Sequence, residues 1–227
     1  MSEITVDLAG KPVREVNRLL HEPLNGVATV NVLNPDGAHN IAVGVNEAVK
    51  VEIHGNAGYY AGGMNKFADI VIHGSAGTGV GENMMSGSIR VKGFASNAAG
   101  ASAHGGLLVI EGDAGLRCAV SLKGGDIVVD GNVGSFSAFM AQAGRLVVCG
   151  DAGDALGDSL YEAVLYVKGK IKSLGADARE EPMTEADIAG LGELLAKAGL
   201  NHDPKSFKRI ASARSLYHWN ADADQEY

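Results

Sequence analysis

The chain is poor in aromatic residues and short of positive charge. Phe, Trp and Tyr make up 5% of its 227 residues, and 19 Lys and Arg against 27 Asp and Glu give a formal net charge of −8. A core built mainly from large side chains is therefore not expected. An acidic chain also lacks the electrostatic footprint that nucleic acid or an anionic membrane surface requires, and we expect neither as a partner.

Long apolar runs and cysteine pairs are also missing from the sequence. No stretch approaches the roughly 18 apolar residues of a membrane span, and the start "MSEITVDLAG" lacks the features of a signal peptide, so we expect a cytoplasmic protein. Two cysteines, Cys118 and Cys149, are too few for an iron–sulfur cluster or a four-cysteine zinc site on this chain alone. Both are expected to be reduced and buried, and we predict no metal site.

Glycine, in contrast, is abundant: 32 residues, about twice the average usage. Much of it recurs at a fixed interval of 19 residues. We call these positions the marker glycines, and we interpret them as structural: Gly55, Gly74, Gly93, Gly112, Gly131, Gly150 and Gly169. Such a regular interval indicates a stack of short structural repeats.

The residues around each marker glycine follow the same period. Aliphatic residues stand two and four positions before it, as Val51 and Ile53 do before Gly55, which is typical of a strand with one buried face. Small residues stand seven and thirteen positions after it. The sequence therefore predicts an all-β fold: a right-handed parallel β-helix solenoid of about seven 19-residue coils, with short helical N- and C-terminal caps.

The stretch "GTGVGE" could instead be read as a phosphate-binding loop. A dinucleotide fingerprint requires a third glycine where Glu82 stands, and a helix where the repeat predicts another strand. The repeat also accounts for every glycine in this stretch, so we favour the solenoid.

The repeats divide the chain into three parts. Residues 1–45 are predicted to form an N-terminal cap with entry strands, with helical spacing over residues 9–21. Residues 46–178 form the β-helix. Residues 179–227 contain a helix capped by Thr184 with Asp187 three positions on, followed by a basic and aromatic arm. That arm either folds back on the solenoid or docks on a partner.

Three groups of side chains are candidates for chemistry, but we predict no catalytic residue. His54 and His73 hold the same position in adjacent coils but lack a third imidazole for a metal. We interpret the acidic segment between Asp151 and Glu162 as a solvated or partner-facing rim and not as a pair of acid–base catalysts. Cys118 falls in a column of small core residues without a base nearby.

Two segments are candidates for a partner interface. The segment "GENMMSG", residues 81–87, is the least repeat-like coil, and the C-terminal arm combines arginine with aromatic residues that are enriched at interfaces. The candidate interface residues are Glu82, Asn83, Met84, Met85, Arg214, Tyr217 and Trp219.

The coils resemble a known family. The stretches "VIHGSAGTGVGENMMSGSIRVKG" and "VVCGDAGDALGDSLYEAVLYVKG" closely resemble the GXGXG β-helix domain at the C-terminus of the glutamate synthase large subunit, which also occurs in the C subunit of formylmethanofuran dehydrogenase. Over nearly the whole chain, "DLAGKPVREVNRLLH", "AGYYAGGMN", "GDALGDSLYEA" and "FKRIASARSLYHW" are most similar to stand-alone GXGXG subunits of N-methylglutamate synthase.

This resemblance implies a structural subunit of an enzyme complex. The complex would convert methylamine and glutamate to N-methylglutamate and ammonia, with this chain bridging a glutamine-amidotransferase-like subunit and an FMN-binding glutamate-synthase-like subunit. It implies no cofactor on this chain, and FMN with an iron–sulfur cluster on a partner. The family's catalytic residues have no counterpart at the matching positions here.

Two other functions remain open. The same architecture serves as the C-type subunit of a formylmethanofuran dehydrogenase or formyltransferase/hydrolase complex. An independent enzyme, either a hexapeptide acyltransferase or a polysaccharide-cleaving β-helix, is less compatible, because three hexapeptides make 18 residues and the coils are short.

Overall fold

A computed structural model describes residues 2–215 of the chain. In this range eleven strands and two α-helices, α1 at Arg14–His21 and α2 at Glu185–Lys197, follow one another. The strands are β1 Ser2–Asp7, β2 Val27–Leu33, β3 Lys50–His54, β4 Asp69–Ile72, β5 Ser88–Val91, β6 Leu107–Ile110, β7 Lys123–Val129, β8 Ala143–Val148, β9 Val164–Val167, β10 Ala178–Glu181 and β11 Lys208–Ser212.

The strands form one sheet, in which β1 to β9 are neighbours in chain order and every pair is parallel. From β3 to β8 each strand pairs with the residues 19 positions further on, for example Val51 with Ile70, apart from a bulge where Lys123 pairs with Ala143. The aliphatic columns identified in the sequence point inward, and all their members are at most 2% exposed. The predicted strands and core are therefore confirmed.

A second side of each coil stacks through single bridges, each formed two residues after a marker glycine. Ala57 pairs with Ala76, and the same bridge repeats along the stack as far as Ile171. Five of the seven residues in this column are alanine. Parallel strands on one side and bridges on the other make the chain a parallel β-helix with short helical caps, as predicted.

The corner of each coil is built from left-handed residues at alternate positions. In one coil these are Tyr60, Gly62 and Met64, with φ of 60°, 65° and 55°. The backbone amides of successive left-handed residues point toward opposite neighbouring coils. Tyr60 N donates to Thr78 O of the next coil, whereas Gly62 N donates to Ile41 O of the preceding coil. The corner is thus hydrogen-bonded like a sheet, and glycine favours it because it adopts positive φ at little cost.

The N-terminal cap completes the first coil. β1 pairs in parallel with β2, and α1 forms the connection between them. Helical spacing predicted a helix over residues 9–21, but α1 begins at Arg14, after Pro12. Its buried side chains, Val16 and Leu20, join the core of the solenoid.

The C-terminal part folds back on the sheet. β11 lies antiparallel between β9 and β10, at the end of the stack. Helix α2 covers the outer face of the sheet, where Leu191, Leu194 and Leu195 pack on side chains of β6 to β9. Two strand arginines hold the helix: Arg145 donates to Gly190 O and Arg90 donates to Ala198 O at its C-terminal end.

Neither α1 nor α2 could cross a membrane, nor could any other helical segment of residues 2–215, because none combines sufficient length with sufficient apolar character.

Candidate functional site

Large apolar side chains are exposed on the outside of two adjacent coils. We call this cluster the corner patch; it consists of Tyr59, Tyr60, Met64, Phe67 and Met85, which are 44 to 53% exposed. Residues between them in the same coil, such as Ala61 and Asn65, are buried, so the exposed side chains lie on the outer side of the corner. Exposed apolar clusters of this kind are typical of protein–protein contact sites.

The segment 81–87 contributes unequally to this surface. Glu82 and Asn83 are half-buried and Met85 is exposed, but Met84 is only 1% exposed and belongs to the core. The expectation that the Met84 side chain contacts a partner is therefore wrong, because that side chain fills space inside the coil. Asn83 has a φ of 53°, and asparagine at this position suits the left-handed corner.

The predicted C-terminal contact residues lie partly within the structure. Arg214 is exposed, and its Nη2 lies 3.0 Å from Glu162 Oε2. It lines a polar cleft at the C-terminal end of the solenoid together with Arg179, Glu181 and Arg209. Tyr217 and Trp219 lie outside the described residues. Up to Ser215 the chain follows the folded-back alternative, since β11 is part of the sheet.

The acidic rim stabilises the last coil through hydrogen bonds. Asp151 accepts from the backbone N of Lys170, Asp154 pairs with Lys172 at 2.7 Å, and Asp158 accepts from the backbone N of Ala176. These bonds give the carboxylates a structural role.

The residues just before the marker glycines form a polar column along one edge of the sheet. We call it the edge column; in chain order it contains His54, His73, Lys92, Glu111, Asp130, Cys149 and Lys168. His54 and His73 stack with their ring centroids 4.9 Å apart and an interplanar angle of 3°. Their Nε2 atoms contact Asn31 Oδ1 and Glu52 Oε2, so these rings are engaged within the protein.

Both cysteines are buried. Burial raises the pKa of Cys118 to about 12, which leaves an unreactive thiol in the core, as the sequence indicates. Burial also raises the pKa of Cys149 to about 12, with a further contribution from Asp130.

The structure also brings together three residues that the sequence analysis did not single out as a group. Asp130 and Cys149 are successive members of the edge column, and His202 reaches them from the segment after α2. The column itself is visible in the 19-residue period. His202 carries no such signal, because its approach depends on how α2 docks.

This geometry can be compared with known proteins. No family model matches the chain. The chain is 53% identical over 225 residues to Protein GlxC of Rhizobium meliloti (strain 1021), covering 98% of this chain and 99% of that protein. The chain belongs to the GlxC family.

A solved structure shares the fold of this GlxC-family chain. It is a chain of the formyltransferase/hydrolase complex (FhcABCD) from Methylorubrum extorquens, crystallised in complex with methylofuran. The TM-score is 0.68 with 22% sequence identity, and the match covers 92% of this chain and 94% of the other. At this identity the similarity demonstrates the common β-helix fold.

Proposed function

We propose that this chain is a non-catalytic structural subunit of an N-methylglutamate synthase complex, which converts methylamine and glutamate to N-methylglutamate and ammonia. In that complex it bridges an amidotransferase-like subunit and an FMN-dependent glutamate-synthase-like subunit. The choice of complex is based on the resemblance of nearly the whole chain to stand-alone GXGXG subunits of N-methylglutamate synthase.

The observation that carries the scaffold role is the corner patch on a rigid stack of coils. Five large apolar side chains stand exposed on two adjacent coils. A partner that covers them would remove their apolar area from water, which stabilises the assembly.

The chemistry of the described residues supports a non-catalytic role. In residues 2–215 the Cys118 thiol is buried with a raised pKa, and the carboxylates Asp151, Asp154 and Asp158 hold the last coil. The reaction would therefore take place on the partners, which would carry FMN and an iron–sulfur cluster.

Affinity purification from native cells tests this proposal. We expect the chain to be recovered with an amidotransferase-like chain and a flavin-coloured synthase-like chain, identified by mass spectrometry and by the visible spectrum. Removing the chain should abolish N-methylglutamate formation from methylamine and glutamate, and adding it back should restore it. Recovery of a colourless protein without partners would contradict the proposal.

A paired substitution tests the contact surface. Tyr60→Ser with Met64→Ser should weaken assembly at least about tenfold, because two interface anchors at about 1 to 2 kcal/mol each exceed that factor. The control Lys197→Ser lies on the exposed side of α2 and should assemble normally. Equal assembly of both variants would exclude the corner patch as a contact site.

The fold shared with a chain of the formyltransferase/hydrolase complex favours a second candidate, a C-type subunit of such a complex or of a formylmethanofuran dehydrogenase. The purification distinguishes the two. A pterin or another formyl carrier in the purified complex would support this second function, and FMN would argue against it.

A further inference from the structure

The edge column and the segment after α2 meet at one point on the outer face. Asp130 directly follows β7 and Cys149 directly follows β8, so the 19-residue register places their side chains side by side. His202 lies between α2 and β11 and packs edge-on against Phe207, with ring centroids 6.4 Å apart. Phe207 is only 4% exposed, which fixes this segment against the sheet.

The three side chains present three kinds of metal-binding atom in a small space. One ligand atom from each of Asp130, Cys149 and His202 lies within 4.8 Å of the other two. His202 Nε2 is 2.8 Å from Asp130 Oδ1. Within residues 2–215 no other group of three or more His, Cys, Asp and Glu side chains meets the same condition.

We propose that Asp130, Cys149 and His202 form a Zn²⁺ site that fastens the segment after α2 to the solenoid. Sulfur, imidazole nitrogen and carboxylate oxygen bind Zn²⁺ at about 2.0 to 2.3 Å, so ligand atoms around one tetrahedral ion stand about 3.3 to 3.8 Å apart. The 4.8 Å within which the three ligand atoms lie exceeds that spacing by about 1 Å, a difference that side-chain rotation would have to close. Three protein ligands leave the fourth position to water.

The donor set also selects the metal. A thiolate favours Zn²⁺ or Co²⁺ over Mg²⁺ and Ca²⁺, which prefer oxygen ligands. The thiolate and the carboxylate together balance the two positive charges of the ion. Binding breaks the S–H bond of Cys149, releases that proton to solvent and forms a metal–sulfur bond.

Lys168, the next member of the edge column, competes with the metal. Its Nζ lies 3.1 Å from His202 Nδ1, an arrangement in which Lys168 donates to Nδ1 and the Nε2 proton points to Asp130. Metal binding at Nε2 requires that proton to move to Nδ1, and Lys168 must then release the ring. Lys168 is exposed, so it can swing into solvent.

Metal titration of the full-length chain without an affinity tag tests the site. With reduced thiols we expect one Zn²⁺ per chain by calorimetry and a rise in melting temperature on metal addition. Co²⁺ should give a thiolate-to-cobalt charge-transfer band and the visible bands of a tetrahedral ion. These measurements do not depend on whether the chain joins an N-methylglutamate synthase complex, so the two proposals can fail separately.

Matched variants identify the ligands. Cys149→Ala and His202→Gln should each lower the affinity for Zn²⁺ at least about tenfold. Mutating a partner that only orients a metal ligand already costs about that much, and these variants remove a ligand itself. His73→Gln in the same column and His218→Gln, which lies outside the described residues, should bind as the wild type does. Lys168→Met removes the competitor and should bind several times more tightly.

Two results would overturn the proposal. One is no metal uptake by the reduced wild type. The other is uptake by Cys149→Ala or by His202→Gln that equals the uptake of the wild type. Circular dichroism of each metal-free variant verifies the fold. A loss of metal uptake can then be assigned to the missing ligand and not to unfolding.

Discussion

At the scale of single residues, the glycines of the repeat meet two different requirements. Gly62 and its equivalents in other coils have positive φ, and alanine replaces glycine there at Ala119 and Ala138 with φ of 60° and 56°. At most marker positions φ is ordinary and the requirement is space. A Cβ on Gly150 would lie 2.6 Å from Gly131 O and 2.5 Å from Asn132 Oδ1.

We predict that Gly150→Ala lowers the free energy of unfolding by about 2 to 3 kcal/mol, because the backbone of the neighbouring coil must move to admit the methyl group. Gly190→Ala provides the matched control in α2. A Cβ there meets only Arg145 Nη1 at 3.6 Å, and alanine favours a helix interior by about 1 kcal/mol, so stability should rise. Urea unfolding of both variants measures whether each substitution lowers or raises the free energy of unfolding.

If Gly150→Ala were as stable as the wild type, close stacking of the marker glycines would not be what excludes side chains from these positions. For a chain of this length the expected loss corresponds to a melting temperature about 4 to 12 °C lower.

At the scale of elements, the N-terminal end of α2 is fixed to the sheet through one carboxylate, that of Asp187. Asp187 accepts from the backbone N and the hydroxyl of Thr184, from Tyr166 Oη at 2.7 Å and from Arg209 Nε at 3.1 Å. Its side chain is 13% exposed. Burial alone would raise the pKa of Asp187, but these hydrogen bonds and the Arg209 charge outweigh it and lower the pKa to about 2.

A lowered carboxyl pKa stabilises the folded state above the unfolded pKa of about 3.8, and this contribution is lost as the pH falls through about 2. We therefore predict that Asp187→Asn is less stable than the wild type by about 2 kcal/mol at pH 7. The difference should shrink between about pH 4 and pH 2. Urea unfolding at pH 7, 4 and 2 measures it.

Glu185→Gln, in the exposed first turn of the same helix, is the control and should stay within about 0.5 kcal/mol of the wild type at each pH. A constant deficit of Asp187→Asn at all three pH values would mean that the substitution acts through packing and not through charge.

The sequence predicts local elements well and their docking poorly. The inward columns and the Thr184 cap follow from a period and from a three-residue spacing, and both are confirmed. The side of the solenoid that α2 covers depends on contacts such as His202 with Asp130, which are 72 residues apart. No periodic signal links such positions, so the cluster with Cys149 emerges only in the folded chain.

Met84 illustrates the same limit at the corner patch. Two adjacent methionines suggest an adaptable surface, yet the alternation of the corner turns Met84 inward and Met85 outward. The left-handed residues of the corner, three per coil, are glycine at some positions and Tyr, Asn, Met, Ala, Ser, Arg or Phe at others. Their composition therefore does not reveal the conformation.

At the scale of the whole molecule, each coil contacts mainly the coils before and after it, so the number of coils sets the length of the rod without changing its cross-section. Helix α2 packs on β6 to β9, and Arg90 of β5 reaches its end, which leaves β3 and β4 free of this helix. A coil can thus be added beside β4 while the contacts of α2 are preserved.

We predict that duplicating residues 56–74 gives a folded chain about 4.8 Å longer, since the copy enters the 19-residue register. Circular dichroism and small-angle scattering should confirm the fold and the added length. Duplicating only residues 56–65 should prevent folding, because it moves the corner of one coil opposite the strand of the next.

If the chain bridges two partners at a fixed separation, the 19-residue duplication should still bind each partner alone but lose N-methylglutamate formation. Full activity with the longer rod would show that the separation of the partners is not set by this chain.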